Sequence, residues 1–129
     1  MENSKEYIKD AIRTESRDFD AMDKRLMDDG TKRLMHAAFG LSTEAGEFLD
    51  AMKKHIFYGK DLDRVNLREE LGDLFWYIAI ACDELDIEFE PIMTRNIEKL
   101  KARYGEKFTE EAAEHRNLNK EREILEKKH

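Results

Sequence analysis

The sequence predicts an all-α fold, a bundle of about four core helices followed by a charged C-terminal helix or tail. Three features of its 129 residues carry this prediction: charged residues make up 41%, aromatic residues 9%, and proline occurs once. Such a composition suits long helices with solvated faces and suits a β-sandwich badly. A chain of this length fits one domain with a modest core.

The first helix is predicted from about Ser4 to Met27, because apolar residues recur there at three- and four-residue spacings. Gly30 should follow its end, since glycine accepts the left-handed conformation of helix caps. Thr31 is then the expected N-cap of a second helix, which continues to about Phe57.

The third helix follows a loop at residues 58–61 and extends to about Leu85. Asp63 or Asn66 could cap its first turn, because both side chains offer an oxygen to the backbone N–H groups there. Its central part is apolar on nearly every side, which predicts burial on most faces.

A fourth helix should start near Pro91, a residue favoured in the first turn, and end at Tyr104. The strongly charged stretch after Thr109 is either a helix that packs on a partner or a frayed end. We therefore predict one helical domain over residues 1–108, to which residues 109–129 belong as a charged helix or tail.

Charge and cysteine content exclude several classes of protein. The net charge of −7 argues against a binder of nucleic-acid polymers, which needs a cationic face. Cys82 is the sole cysteine and fits a reducing compartment. The longest apolar run, residues 74–82, is too short to span a membrane, and the N-terminal residues lack the apolar core of a signal peptide. We expect a soluble, cytoplasmic protein without a membrane partner.

Two acidic residues of the second helix, Glu44 and Glu47, share a stripe with the small residues Ala37, Gly40 and Ala51. Small neighbours let another helix approach closely and leave room for ions. Neither acid has a basic residue four positions away, as a solvated face more typically would. A solvated face remains the alternative, because 30 of the 129 residues are acidic.

A second acidic pair, Glu70 and Asp73, leads into the apolar run of the third helix. Carboxylates that enter a buried segment are costly unless cations neutralise them. Both pairs together predict four carboxylates converging between antiparallel helices. Oxygen-only ligands favour hard divalent cations, Mg²⁺ with Mn²⁺ as a substitute.

The fourth helix carries a polar stripe beside its apolar face, formed by Asn96, Lys99 and Arg103. An amide and two cations in line could hold a polyphosphate, arginine through paired contacts and lysine as a point charge. An ordinary exposed helix face is the alternative.

At these residues the chain resembles the MazG-like nucleotide pyrophosphohydrolases, in the all-α superfamily that includes dimeric dUTPases. The signature is ExxE, a spacer and ExxD, here residues 44–47, a gap of 22 residues, and residues 70–73. The wider likeness runs from Arg13 to about Arg116. Many relatives have a glutamate where this chain has Thr43, so a base at that position cannot be carried over.

The resemblance implies Mg²⁺-dependent hydrolysis of a (deoxy)nucleoside triphosphate to the monophosphate and pyrophosphate, by a homodimer or homotetramer. It implies that the metal ligands are Glu44, Glu47, Glu70 and Asp73. Glu47 is the favoured catalytic base, with Glu44 as a second catalytic carboxylate. The segment that contacts phosphates would include Asn96, Lys99 and Arg103.

Residues that contact the nucleobase of the substrate are harder to predict. Arg13, His55 and Tyr58 are candidate substrate contacts, whereas Trp76 and Phe39 are expected in the core. A ferritin-like di-iron bundle is disfavoured, because Glu-x-x-His occurs only at the extreme C-terminus. The open alternative to an enzyme is a non-catalytic helical oligomerisation or adaptor module.

Overall fold

The computed structural model describes residues 3–105 and 109–127. Its regular structure there is helical throughout, without a strand, which confirms the all-α prediction. The helices are α1 Ser4–Ile12, α2 Phe19–Leu26, α3 Asp29–Tyr58, α4 Arg64–Glu84, α5 Phe89–Tyr104, α6 Glu110–Glu114 and α7 Leu118–Glu126. The chain divides into two compact units, Met1–Lys32 and Arg33–His129. The sequence-based boundary after residue 108 stays a prediction.

The N-terminal unit contains two helices where the sequence predicted a single one over residues 4–27. That prediction was wrong because side chains in the intervening turn bind backbone groups. The Thr14 hydroxyl donates to the Ala11 carbonyl oxygen at 3.0 Å, and the Asp18 carboxylate accepts from the Ala21 N–H at 3.1 Å. Such local bonds compete with continuous helix, so α1 ends and α2 begins with its own cap.

The start of α3 also differs from the prediction. Gly30 lies inside the helix instead of ending the previous one, and Thr31 is not its cap. The Asp28 carboxylate accepts from both the backbone N–H and the hydroxyl of Thr31, at 2.8 and 2.9 Å. The Asp28 carboxylate, three residues before Thr31, satisfies an N–H group that the first turn of a helix leaves without a partner. Helix α3 therefore begins earlier than predicted.

Helices α3 and α4 form an antiparallel hairpin in the larger unit. Near the open end, the Arg33 guanidinium of α3 pairs with Asp83 at 2.6 Å and with Glu84 at 3.0 Å on α4. Further towards the connecting loop, Gly40 lies against the ring of Tyr77. The residue numbers rise along α3 while those of their partners fall along α4, so the two helices run in opposite directions.

The loop of the hairpin is fixed by caps on both sides. Gly59 has a positive φ of 65°, which allows the Lys60 N–H to reach back to the Lys54 carbonyl oxygen at 3.2 Å. Asp63 caps α4 and accepts from the Asn66 N–H at 3.1 Å. Of the two predicted caps, Asp63 is therefore the one used.

A tight turn joins α4 to α5. Asp86 has a φ of 52°, and the Ile87 N–H donates to the Cys82 carbonyl oxygen at 3.0 Å, as in a Schellman cap. The rings of Phe75 and Phe89 stack across the turn with centroids 6.3 Å apart. Helix α5 starts within one turn of the predicted start and ends at the predicted residue.

The charged C-terminal stretch forms the short helices α6 and α7, both of which contact α5. It is thus helical and packs within its own chain in the described residues. Helix α7 turns Glu121 and Ile124 inward, with exposed fractions of 4% and 9%. An apolar side chain and an acid are therefore buried together on one face.

Few apolar residues are buried in the described part of the chain, and Ala37 and Cys82 are those of the hairpin. Large side chains remain exposed on the outer faces of its two helices, among them Phe39, Leu49, Phe57, Leu71, Phe75 and Trp76. A two-helix hairpin covers only one side of each helix, which explains why so much apolar surface is left open. None of the helices in the described segments combines the length and the apolarity that crossing a bilayer requires.

Candidate active site

Three of the four predicted carboxylates meet between α3 and α4. One oxygen each from Glu44, Glu70 and Asp73 lies within 4.8 Å of the others. Glu70 and Asp73 are one turn apart on α4, so both face the same side of that helix. Glu44 reaches them from α3 because the antiparallel pairing places it opposite.

Glu70 is the most buried member of this carboxylate cluster, with 9% of its surface exposed. Its hydrogen bond with Glu44, followed by burial and by the negative charges of Glu44, Glu47 and Asp73, raises the pKa of Glu70 to about 7. Like charges at close range cannot all stay ionised, so one proton is retained near neutral pH. A cation bound among these oxygens would have to replace this proton.

Glu47 stands apart from the carboxylate cluster. Its exposed side chain lines a neighbouring polar cavity of about 190 Å³, together with Asp50, Lys54, Lys60 and Asn66 among others. Its charge still contributes to the raised pKa of Glu70. Glu47 is thus close enough to act electrostatically on the cluster without belonging to it.

The donor set of the cluster fits a hard divalent cation. All three groups offer oxygen atoms, the ligand type that Mg²⁺ and Mn²⁺ prefer. Three facing carboxylates are also unfavourable without a neutralising charge. The side chains of Glu44, Glu70 and Asp73 could accordingly hold such an ion.

A close helix crossing lies one turn from the carboxylate cluster. A Cβ added at Gly40 would meet Cε1 of Tyr77 at 2.0 Å, so only glycine fits against this ring. Gly40 is one turn before Glu44, and Tyr77 is one turn after Asp73. The contact therefore fixes the spacing of the two helices where their carboxylates meet.

Aromatic rings surround this crossing. The Trp76 and Tyr77 centroids are 5.0 Å apart, and His36 meets both rings edge-on at 6.1 and 5.7 Å. Trp76 is 56% exposed and Phe39 62% exposed. The expectation that both belong to the core is wrong within this chain, because more than half of each side chain is exposed.

The predicted phosphate-binding stripe on α5 is divided between different environments. Asn96 borders an apolar groove that Leu125 of α7 also lines. Lys99 is half-buried, and no other described residue forms an ion pair with it. Arg103 is only 13% exposed and is held by Glu121 of α7.

Two arginines, Arg103 and Arg116, hold the Glu121 carboxylate. Arg103 donates from Nε at 2.8 Å and from Nη2 at 3.2 Å, and Arg116 donates from Nη2 at 2.6 Å. These bonds, first to Arg103 and then to Arg116, lower the pKa of Glu121 to about 2. The Arg103 guanidinium also lies over the Tyr104 ring, 5.4 Å from its centroid.

The remaining predicted substrate contacts are Arg13, His55 and Tyr58. Arg13 belongs to the N-terminal unit and pairs with Asp10 at 3.5 Å. His55 places Nδ1 2.8 Å from the Lys60 carbonyl oxygen and so supports the loop. Tyr58 is 66% exposed. Their roles towards a substrate stay predictions.

Sequence reasoning missed the role of Glu121, which it placed in an undecided charged tail. A signal was present, since Leu118, Ile124 and Leu125 lie on neighbouring turns of the same face as this acid. It also placed Gly40 on the stripe of Glu44 but did not pair it with Tyr77. That pairing needs the register of two helices, which one sequence does not specify.

Comparisons with known proteins identify a family for most of the larger unit. The MazG nucleotide pyrophosphohydrolase domain matches residues 33–108, more than half of the chain. The gene 37 protein of Mycobacterium phage L5 is 36% identical over 80 residues, 58% of this chain and 69% of the phage protein. No solved structure matches the chain. Since the match covers more than half of the chain, including α4 and α3 from residue 33 onward, the chain belongs to the MazG nucleotide pyrophosphohydrolase domain family, and this membership implies nucleotide pyrophosphohydrolase activity.

Proposed function

We propose that this chain hydrolyses a (deoxy)nucleoside triphosphate to the monophosphate and pyrophosphate, in control of the nucleotide pool. The observation that carries the proposal is the meeting of three carboxylates from α3 and α4 inside the family-matched segment. An acidic chain can bind a triphosphate when divalent cations stand between the two sets of negative charges. Mg²⁺ is the proposed ion, and Mn²⁺ is its substitute.

In this proposal Glu44, Glu70 and Asp73 hold the ion, and Glu47 stands beside them as a further ligand or as a base. A divalent ion at this place neutralises phosphate charge and lowers the pKa of water. Glu47 is suited to accept the proton of the attacking water, since its exposed carboxylate borders a polar cavity next to the cluster.

The cations of α5 are the proposed phosphate contacts. Lys99 and Arg103 would stabilise the negative charge that develops on the departing pyrophosphate, and Asn96 would donate a hydrogen bond to it. His55 and Tyr58, near the hairpin loop, are proposed to touch the nucleotide. The identity of the nucleobase is the first property of the substrate to determine.

The test is a panel of canonical and modified ribo- and deoxyribonucleoside triphosphates, assayed with Mg²⁺ for pyrophosphate against orthophosphate. Glu70→Gln should reduce turnover at least about 100-fold, because it removes a charged ligand from the cluster. Glu69→Gln is the matched control, since Glu69 is the exposed neighbour on the same helix and should leave turnover unchanged. Similar rates in both variants would refute the assignment of Glu70.

A non-catalytic adaptor is the competing function. It predicts no pyrophosphate release from any triphosphate and no stabilisation by divalent ions. The enzyme predicts that Mg²⁺ or Mn²⁺ raises the melting temperature of the wild-type chain and does so less in Glu70→Gln, because only the folded state binds the ion. Circular dichroism would verify that both chains contain the same helix.

A second copy of the chain is the proposed cover for the apolar outer faces of the hairpin. Leu49 is 70% exposed and Phe57 75% exposed on α3, and Phe75 and Trp76 are more than half exposed on α4. Apolar surface of this extent marks an interface in most proteins. We propose a homodimer or homotetramer, and light scattering after size exclusion should detect it. Leu49→Glu should shift the mass towards the monomer, and an unchanged mass would remove this face from the interface.

A further inference from the structure

We propose that helix α7 is an internal competitor for substrate phosphate, in which the Glu121 carboxylate occupies the guanidinium of Arg103 and must leave it for phosphate to bind. The inference rests on the proposed function, since it takes Arg103 as a phosphate contact. It adds a regulatory element that lies outside the family-matched segment, which ends at residue 108.

The carboxylate of Glu121 meets Arg103 in the geometry that a phosphate would use. Its two oxygens accept from Nε and Nη2 of Arg103 at 2.8 and 3.2 Å. These two N–H groups are parallel and form the edge of the guanidinium that binds carboxylates and phosphates in pairs. One anion on this edge therefore excludes another.

Burial closes the alternative approaches to Arg103. The Arg103 side chain is 13% exposed and that of Glu121 is 5% exposed. A triphosphate thus reaches this guanidinium only after the carboxylate has moved away.

Arg116 determines how readily Glu121 leaves Arg103. It shares the carboxylate and donates to Oε2 from Nη2 at 2.6 Å, while its own side chain is 42% exposed. Because this exposed cation can follow Glu121 into solvent, it keeps the acid neutralised when Arg103 is released. Without Arg116, the acid would depend on Arg103 alone and hold it more tightly.

The experiment measures binding of inorganic pyrophosphate, in Mg²⁺ buffer, to the full chain by titration calorimetry. Glu121→Gln should bind pyrophosphate about tenfold more tightly than the wild type, because a neutral amide holds the guanidinium less strongly and the fraction of free Arg103 rises. The double variant Glu121→Gln/Arg103→Gln should lose this gain. If Glu121→Gln binds pyrophosphate no more tightly than the wild type, the proposal is overturned.

Arg116→Gln is the matched control and separates competition from general loosening of α7. Competition predicts equal or weaker pyrophosphate binding in this variant, since Glu121 then has Arg103 as its only partner. Loosening predicts tighter binding in Arg116→Gln as in Glu121→Gln, and that result would also overturn the proposal. Circular dichroism and thermal unfolding establish that each variant is folded.

Turnover distinguishes the two proposals from one another. If no nucleoside triphosphate is hydrolysed by the wild type, the proposed function fails, whatever the affinity for pyrophosphate. If the wild type is active and Glu121→Gln leaves KM for its nucleotide unchanged, competition fails while the proposed function stands. A lower KM with kcat retained is the result expected when both are correct.

Discussion

Replacing Gly40 by alanine tests whether the α3–α4 crossing sets the geometry of the carboxylate cluster. The new Cβ would lie 2.0, 2.2 and 2.3 Å from three ring atoms of Tyr77. Carbon atoms pack comfortably at about 3.5–4.0 Å, so the helices or the ring must move by about 1.5 Å. Both partners are one turn from cluster residues, and such a movement therefore displaces Glu44 relative to Asp73.

The expected change in stability follows from two opposing contributions. Overpacking of this kind costs about 1–3 kcal/mol, whereas alanine in a helix interior is favoured over glycine by about 1 kcal/mol. Gly40→Ala should therefore lower the free energy of unfolding by about 0–2 kcal/mol. Gly46→Ala and Gly72→Ala meet nothing within 4 Å and should each raise it by about 1 kcal/mol.

Urea unfolding of the three variants supplies the stabilities, and calorimetry with Mn²⁺ supplies the affinities. Gly40→Ala should bind Mn²⁺ at least about tenfold more weakly than the wild type, because ligand spacing is critical for small cations. Tyr77→Ala in the Gly40→Ala background should restore stability relative to the sum of the single changes. If Gly40→Ala matches the Gly46→Ala control in both measurements, the crossing does not constrain the cluster.

Three further changes test the capping and charge of individual groups. Asp86→Gly should stabilise the chain by about 1 kcal/mol, since φ is 52° there, and Asp86→Ala should not, as urea unfolding would reveal. Asp63→Ala should cost about 1 kcal/mol by removing the α4 cap, and full stability in Asp63→Ala would argue against that cap. Glu121 has its pKa lowered from 4.5 to about 2 on folding, so its stabilising effect is complete above pH 4.5 and is lost as the pH falls towards 2. The free energy of unfolding should consequently drop more between pH 5 and pH 3 in the wild type than in Glu121→Gln, and equal drops would contradict this.

The sequence predicted the long helices well, because their periodic apolar residues and their caps are local signals. Asp63, for example, caps α4 as expected. The prediction failed between α1 and α2, where Thr14 and Asp18 bind the backbone. These bonds interrupt the helix, although the apolar residues keep the same spacing through the turn. The spacing of apolar residues indicates which face of a helix is apolar, but it does not indicate a turn that interrupts the helix.

The sequence predicted which helix faces carry the acidic residues of the carboxylate cluster, but not which of these residues meet. Spacing placed Glu44 and Glu47 on one stripe, but the structure brings only Glu44 to Glu70 and Asp73. One turn separates the two α3 acids, and a second helix at close range meets only one of them. The difference depends on register, for which Gly40 against Tyr77 is the decisive contact.

The hydrogen bond between Glu44 and Glu70 has a consequence for how the chain takes up cations. With a pKa of about 7, Glu70 retains a proton through much of the neutral range, and a divalent ion bound by the same oxygens must expel it. Loading of the proposed ion should therefore acidify a weakly buffered solution, and the heat of titration should change with the ionisation enthalpy of the buffer. If the proposed Mg²⁺ site is correct, calorimetry should show tighter Mg²⁺ binding at pH 8 than at pH 6, because less Glu70 is protonated at the higher pH.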